Sequence, residues 1–236
     1  MKKEIIEIPY DTEATFLSRE NRFLGKVEIE GSEEVKLVHV RDPGRLKEVL
    51  YEGNEVLLKK VDKKDRKTDY DLVAGKVGDD WILVNSGYHR MIVEKIFEDD
   101  KMNPIKGMDS FKAEQKLGES RIDFLVDRNG SRAWVEVKGC TLAKDGVALF
   151  PDAPTTRGKR HLEELIKIED HAAVIFLIFR PDAKCFLPYK ERDPDFSSTF
   201  YEAIDSGVEI HAVQVEYVDG VLYYKGEIPI CEDDRV

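Results

Sequence analysis

The stretch RIDFLVDRNGSRAWVEVK, residues 121–138, decides the fold of the second half of this chain. At its centre, Asn129-Gly130 predicts a two-residue hairpin turn, because both central residues of a type I′ turn need a positive φ. If that turn closes the loop, Arg128 faces Ser131, and pairing continues outward with a constant sum of residue numbers. The stretch therefore predicts an antiparallel β-hairpin with a defined register.

That register brings two acids face to face. Asp123 is expected opposite Glu136 and Arg121 opposite Lys138, and alternation places Lys138 on the face of Glu136. Two opposed carboxylates repel each other unless a cation lies between them. The hairpin therefore indicates a divalent-metal site with an adjacent ammonium group. The alternative is a solvated hairpin face that carries ordinary charges.

Asp123, Glu136 and Lys138 together have the spacing D-x12-E-x-K. In a metal-dependent phosphodiesterase, two such carboxylates hold Mg²⁺ or Mn²⁺, and the lysine orients the attacking water or neutralises developing charge. We therefore treat these three as candidate catalytic residues. Glu114, on the preceding polar strand, is a candidate metal ligand beside Asp123 and Glu136, although an exposed polar strand explains it equally well.

Outside the hairpin, the pattern predicts two domains, residues 1–84 and residues 85–236. The first domain contains short β-like runs separated by turn signals, at residues 22–29, 35–40, 55–61, 70–77 and 81–84, and a short helical pattern at residues 45–51. About five short strands and a helix suit an N-terminal OB-fold-like β-barrel.

The second domain alternates helices and strands. Helices are predicted over residues 88–99, 158–170 and 196–205, with strands at residues 111–117 and 208–215 besides the hairpin. Residues 173–179 are an uninterrupted apolar run, which suits a strand buried on both faces of a sheet. This order predicts an α/β domain with helices on the faces of its sheet.

The start of the second of these helices is basic. A helix N-terminus offers free N–H groups and a positive dipole end to phosphate. The candidate phosphate-binding residues there are Thr156, Arg157, Lys159, Arg160 and His161. The alternative is a helix cap beside solvated basic side chains.

A second basic run, residues 59–67, falls in a predicted hairpin loop of the barrel. Such a loop can contact a nucleic-acid backbone, although charge runs are commonly solvated faces. Its candidate residues are Lys60, Lys63, Lys64 and Arg66.

Composition sets weaker limits. The net charge of −11 lowers the expectation of a polyanionic partner, but residues 180–236 alone carry six basic and 13 acidic side chains. The rest of the chain is therefore close to neutral. Three distant cysteines without a CxxC pair make a disulfide framework unexpected, and the start lacks the pattern of a signal peptide. With no long apolar run, we expect a cytoplasmic protein outside the membrane.

Several of these motifs resemble the sugar fermentation stimulation protein A family. The resemblance extends from near residue 22 to residue 215 and is most specific after Phe150. It rests on RFL at residues 22–24, SRIDF at 120–124, VEVK at 135–138 with TL at 141–142, FPDA at 150–153, TRG at 156–158 and HLEEL at 161–165.

The resemblance implies an OB-fold joined to a PD-(D/E)xK, restriction-endonuclease-like domain. It implies DNA binding with a regulatory link to sugar utilisation, and it maps Asp123, Glu136 and Lys138 onto the nuclease triad, with Glu114 as an extra acid. Ile122 replaces the usual proline of that motif.

Three functions remain open at this point. The chain is a metal-dependent nuclease, a DNA-binding regulator of sugar metabolism genes that keeps a nuclease fold without using it, or an enzyme or sensor for a small phosphorylated metabolite. The sequence indicates no oligomeric state.

Overall fold

The structure, a computed structural model, describes residues 2–32, 34–62 and 66–232. The helices are α1 (His89–Phe97), α2 (Thr156–Ile166) and α3 (Pro194–Asp205). Within these residues, none of the helices has the length and apolar character that a membrane crossing requires. The strands are β1 (Lys3–Glu7), β2 (Thr12–Asn21), β3 (Leu24–Ile29), β4 (Val35–His39), β5 (Glu55–Lys60), β6 (Tyr70–Val77), β7 (Asp80–Leu83), β8 (Met108–Leu117), β9 (Ser120–Arg128), β10 (Ser131–Cys140), β11 (Ala143–Lys144), β12 (Val147–Phe150), β13 (His171–Ile178), β14 (Cys185–Pro188), β15 (Glu209–Val218) and β16 (Val221–Ile228).

Strands β2 to β6 close into a five-stranded barrel. Antiparallel pairing joins β4, β3, β2, β5 and β6 in that order, and a short parallel pairing of β4 with β6 completes the ring. Closure pairs both edges of the sheet, which removes sites for unwanted strand addition. Buried apolar side chains fill the barrel, among them Phe16, Val27, Val38, Leu58 and Leu72. The predicted N-terminal OB-fold-like barrel is confirmed.

The helix predicted over residues 45–51 is wrong. The segment forms a turn, in which the N–H groups of Val49 and Leu50 both donate to the carbonyl of Leu46. Leu46 has a φ of 50°, which a right-handed helix cannot include. Its N–H donates to Asp152 Oδ2 at 3.0 Å. A contact with a distant part of the chain therefore overrides the helical spacing of the apolar residues.

The second domain is built on a mixed sheet. Its central strands β10, β13 and β15 are parallel, and β9 and β8 extend the sheet antiparallel from β10. On the other side, β16 pairs with β15, and β1 pairs with β16. Strand β7 pairs with both β6 and β15, so a continuous sheet joins the barrel to the second domain. The two-domain α/β fold class is confirmed, whereas the boundary between residues 84 and 85 remains a prediction.

Helices cover both faces of this sheet. Buried residues of α1 pack in the same core as the barrel, and buried residues of α2 and α3 form a separate core. Strand β13 contributes to both cores, since Ala173 and Ile175 lie in the first and Val174 and Phe176 in the second. The predicted strand buried on both faces is therefore confirmed.

The predicted hairpin forms, but its pairing stops early. Asn129 and Gly130 have φ values of 49° and 79°, and the ladder runs from Arg128–Ser131 to Phe124–Val135 in the predicted register. It does not continue to the expected opposed pairs of Asp123 with Glu136 and of Arg121 with Lys138. Strand β10 pairs with β13 from Ala133 to Cys140, whereas its pairing with β9 ends at Val135, so the two strands of the hairpin separate before the acids.

Two of the three cysteines are paired, although their spacing in the sequence made a disulfide framework unexpected. Cys185 and Cys231 form a disulfide, whereas Cys140 is free and buried. Strand β14 contains Cys185, and Phe186 forms an isolated parallel bridge with Ile230. This bridge brings the two cysteines together, a proximity that their separation of 46 residues conceals in the sequence.

Candidate active site

A cavity of about 500 Å³ lies between the barrel and the second domain. The barrel supplies Arg22 and the turn that contains Asp42 and Gly44. The second domain supplies side chains from β9, β10 and α2 and from the loop that precedes α2. The predicted site residues that line it are Asp123, Glu136, Lys138, Arg157 and His161.

Glu136 is the buried centre of this group. It is 3% exposed, and its Oε1 contacts both Lys138 Nζ and His161 Nδ1. Burial alone would raise the pKa of this carboxyl, but Lys138 and His161 together outweigh burial and hold the pKa below its usual value. Its Oε2 is buried without a hydrogen-bond partner in the structure. The side chain is therefore an ionised carboxylate with one oxygen held and the other available to a cation.

Asp123 reaches β10 through its side chain. Its Oδ2 accepts a hydrogen bond of 2.8 Å from the N–H of Val137, just beyond the point where backbone pairing ends. Burial, and next the charge of Glu136, raise the pKa of Asp123 to about 6. Two carboxylates that disfavour each other's ionisation are the arrangement that a bound cation stabilises.

His161 holds Glu136 in place. It is 2% exposed in the second turn of α2, a helix whose first turn is capped by Thr155 Oγ1 accepting from the N–H of Gly158. His161 Nε2 accepts a 3.3 Å hydrogen bond from Arg157 Nε, so a neutral ring carries its proton on Nδ1 and donates it to Glu136. The sequence indicated phosphate contact or proton transfer for this residue, and these roles remain predictions. The observed contacts are those of a residue that positions Glu136.

Glu114 lies apart from the other acids. It has a φ of 51°, and its carboxylate accepts from Arg90 at 3.2 Å and from Arg121 at 2.9 Å. It is not among the residues that line the cavity. Among the described residues, no group of three or more His, Cys, Asp or Glu side chains is arranged to hold a metal. The role of Glu114 as a metal ligand remains a prediction.

The other predicted phosphate-binding residues that the structure describes are not among those that line the cavity. On α2, Thr156 and Arg160 are exposed, and Lys159 lies 3.5 Å from Asp195 and 3.9 Å from Glu163. In the barrel, Lys60 is exposed, whereas Arg66 pairs with Asp71 and donates to Thr68. Lys63 and Lys64 lie outside the described residues.

Two family profiles match the chain. One, described as the sugar fermentation stimulation protein RE domain, covers residues 87–220, and the other, described as the SfsA N-terminal OB domain, covers residues 17–84. The chain belongs to the sugar fermentation stimulation protein family. The profiles agree with the barrel and with the α/β sheet, and they confirm the family suggested by the sequence motifs.

Other members of the family match this chain over nearly their whole length. A homologue from Methanococcoides burtonii is 44% identical, with 98% of this chain and 96% of the relative covered. A homologue from Thermotoga maritima is 41% identical, with 96% and 98% covered. The structure of Pyrococcus furiosus SfsA in complex with Ca²⁺ superimposes with a TM-score of 0.88 at 30% identity, covering 97% of this chain and 99% of that chain.

The sequence reasoning missed a second acidic group in this family member's cavity. Asp42 and Asp152 both line it, and a Cβ on Gly44 would lie within 2.9 Å of both carboxylates. Asp42 accepts from the N–H of Gly44 at 2.8 Å, and Asp152 accepts from the N–H of Leu46. Neither aspartate is among the candidate site residues that the sequence indicated.

His89 was also missed. It lines the cavity, stacks on Phe179 with ring centroids 5.3 Å apart, and lies against Gly139. A Cβ on Gly139 would lie 2.3 Å from His89 Cε1, so the close approach depends on glycine. Burial lowers the pKa of His89 to about 4, which makes the ring neutral at pH 7. It can therefore act there as a hydrogen-bonding group without adding positive charge.

Asp42, the partly buried acid of the barrel, predicts a pH-dependent gain in stability from substitution. Burial raises the pKa of Asp42 to about 6, above its value in the unfolded chain, so ionisation lowers the stability of the fold as the pH rises from about 4 to 6. Asp42→Asn keeps an oxygen for the N–H of Gly44. In urea unfolding we expect the variant to exceed wild type by on the order of 2 kcal/mol at pH 8 and to match it near pH 4. An equal difference at both pH values would contradict this assignment.

Proposed function

We propose that this chain hydrolyses phosphodiester bonds of nucleic acid, DNA in the first instance, with a divalent metal held by Asp123 and Glu136. The observation that carries the proposal is the unpartnered Oε2 of Glu136, buried beside a second carboxylate in a cavity. A buried anionic oxygen without a partner is costly to the fold, and a cation removes that cost.

The donor set fits Mg²⁺ or Mn²⁺. Mg²⁺ usually keeps several waters and is held by one or two carboxylates together with phosphate oxygens of the substrate. Asp123 and Glu136 are therefore a sufficient protein ligand set for such an ion. The Ca²⁺ in the Pyrococcus furiosus relative supports a site for a divalent cation. When bound, the metal polarises the phosphate and lowers the pKa of a water molecule that it carries.

Cationic side chains share the cavity with the two acids. Lys138 Nζ contacts Glu136 and lies 3.3 Å from His161 Nδ1, which fixes its ammonium in a largely buried position. Arg22, Arg90 and Arg157 also line the cavity. Fixed positive charge in a site shielded from water stabilises the additional negative charge that develops on a phosphate during hydrolysis. We assign this role to Lys138 and the binding of flanking phosphates to the arginines.

Hydrolysis of labelled DNA tests the proposal. Wild type is incubated with a single-stranded oligonucleotide and with plasmid in the presence of Mg²⁺, Mn²⁺ or EDTA, beside Asp123→Asn purified identically. We expect cleavage by wild type with Mg²⁺ or Mn²⁺, and loss of cleavage with EDTA or in the variant. Cleavage that persists in Asp123→Asn would contradict the proposed site. DNA binding without turnover under any metal would favour a non-catalytic regulator instead.

A further inference from the structure

We infer that Arg22 and Phe23 form a platform that holds an unpaired nucleotide at the mouth of the cavity, so that the substrate is a single strand. This inference rests on the proposed function, because it names the substrate class of the same site. It concerns the barrel, whereas the acids that define the site belong to the second domain.

The platform is the turn between β2 and β3. Asn21 pairs with Leu24, which leaves Arg22 and Phe23 as the two turn residues. Arg22 lines the cavity that also contains Glu136. Phe23 is 50% exposed and is among the few large apolar side chains on the described surface. The turn therefore joins an exposed aromatic residue directly to a residue that lines the cavity.

Hydrogen bonds hold this turn in one conformation. Arg19 Nη2 donates to the carbonyl of Arg22 at 2.7 Å, and the N–H of Val40 donates to the carbonyl of Phe23 at 3.0 Å. Asn21 Oδ1 accepts from the N–H of Phe23 at 2.9 Å. A ring on a fixed backbone loses little conformational entropy when a ligand stacks on it.

Arg19 also links the turn to the other barrel segment at the cavity. Its guanidinium donates to the carbonyls of Asp42 and Gly44 at 2.9 and 2.7 Å. One side chain therefore fixes Arg22 and the acidic turn relative to each other. Rigid placement of a binding surface next to a reacting centre is what positions a substrate for reaction.

Exposure alone does not mark a site, because single exposed apolar residues are common. Neither Phe23 nor Tyr51, which is also 50% exposed, is itself part of the cavity lining, and the chain neighbours of Tyr51 do not line it either. Phe23 differs because its neighbour Arg22 forms part of the cavity wall. An aromatic face beside a cation is the combination that binds the bases and the backbone of unpaired strands.

The size of the cavity favours the same ligand. Its volume of about 500 Å³ falls in the range of roughly 300–1,000 Å³ that encloses a small ligand. A double helix, whose major groove alone is about 12 Å wide, does not enter such a space. A single strand can place one nucleotide in the cavity, and the neighbouring base then lies over the Arg22-Phe23 turn.

Fluorescence anisotropy without divalent metal tests the platform apart from hydrolysis. The probes are a labelled single strand, the duplex of the same sequence, and a strand of equal length with abasic positions, and an unlabelled mononucleotide serves as competitor. We expect the single strand to bind most tightly. Phe23→Ala should weaken that binding about 5- to 100-fold and leave binding of the abasic strand unchanged.

Matched variants complete the test. Phe23→Leu keeps apolar volume without a ring and should show the same loss, Phe23→Trp should retain affinity, and Tyr51→Ala should match wild type. Equal binding of duplex and single strand, full competition by the mononucleotide at equal concentration, or equal affinities of Phe23→Ala and Tyr51→Ala would overturn the inference. Phe23-dependent binding without hydrolysis by Mn²⁺-loaded wild type would instead contradict only the proposed hydrolysis.

Discussion

Glu136→Gln is expected to lower Mn²⁺-dependent hydrolysis by on the order of 10²–10³-fold, the cost of removing a group that stabilises charge at a reacting centre. The glutamine amide is neutral, so the group that replaces Glu136 Oε2 no longer offers an anionic ligand to a cation. Lys138 and His161 can still donate to the amide oxygen, so the fold should remain stable. Single-turnover kinetics of a labelled oligonucleotide, with thermal unfolding as a check, measure both effects.

Glu98→Gln is the matched control for this experiment. Glu98 follows α1 and forms an exposed ion pair with Lys95, away from the cavity lining. The Glu98→Gln variant makes the same chemical change outside the site. It should retain wild-type rates of hydrolysis, because exposed ion pairs contribute little to stability. Wild-type hydrolysis by Glu136→Gln, or equal losses in the two variants, would show that Glu136 holds no catalytic metal.

His161→Ala is expected to destabilise the protein by about 2–4 kcal/mol, because it leaves a cavity and removes a partner from a buried carboxylate. The remaining partner of Glu136 Oε1 is Lys138. Loss of the imidazole donor should also raise the pKa of Glu136, and the optimum of hydrolysis should therefore move to higher pH. Urea unfolding and a pH–rate profile measure the two changes.

His161→Asn separates the positioning role from packing. Its amide can donate from nearly the position of His161 Nδ1, so we expect it to recover most of the pH profile while retaining part of the stability loss. Identical pH profiles for His161→Ala and wild type would contradict a positioning role. A pH profile that is altered in His161→Ala and restored in His161→Asn would support the positioning role. Loss of packing alone would not be reversed by a hydrogen-bond donor.

The local parts of this account were predictable from the sequence. The Asn129-Gly130 turn, the hairpin register near it and the buried strand β13 all follow from rules that connect neighbouring residues. The sequence also indicated Asp123, Glu136 and Lys138 as candidate site residues. Period-two alternation assigns their side chains to one face of the sheet.

The remaining parts depend on contacts between distant residues. The parallel pairing of β10 with β13 draws Glu136 away from the hairpin partner that local register assigned to it. The left-handed Leu46 depends on Asp152, 106 residues further along the chain. Likewise, nothing near Arg22 in the sequence shows that it faces the acids of another domain. Such contacts are set by the packing of the domains, which no local pattern encodes.

The central claim is that Asp123 and Glu136 together bind a divalent cation. Diffraction data collected at the manganese absorption edge, from a crystal grown with Mn²⁺ at a concentration that supports hydrolysis, test it most directly. We expect an anomalous peak between the two carboxylates in wild type and its loss in Glu136→Gln. An ordered wild-type site without a peak, or a peak bound only elsewhere in the protein, would contradict it.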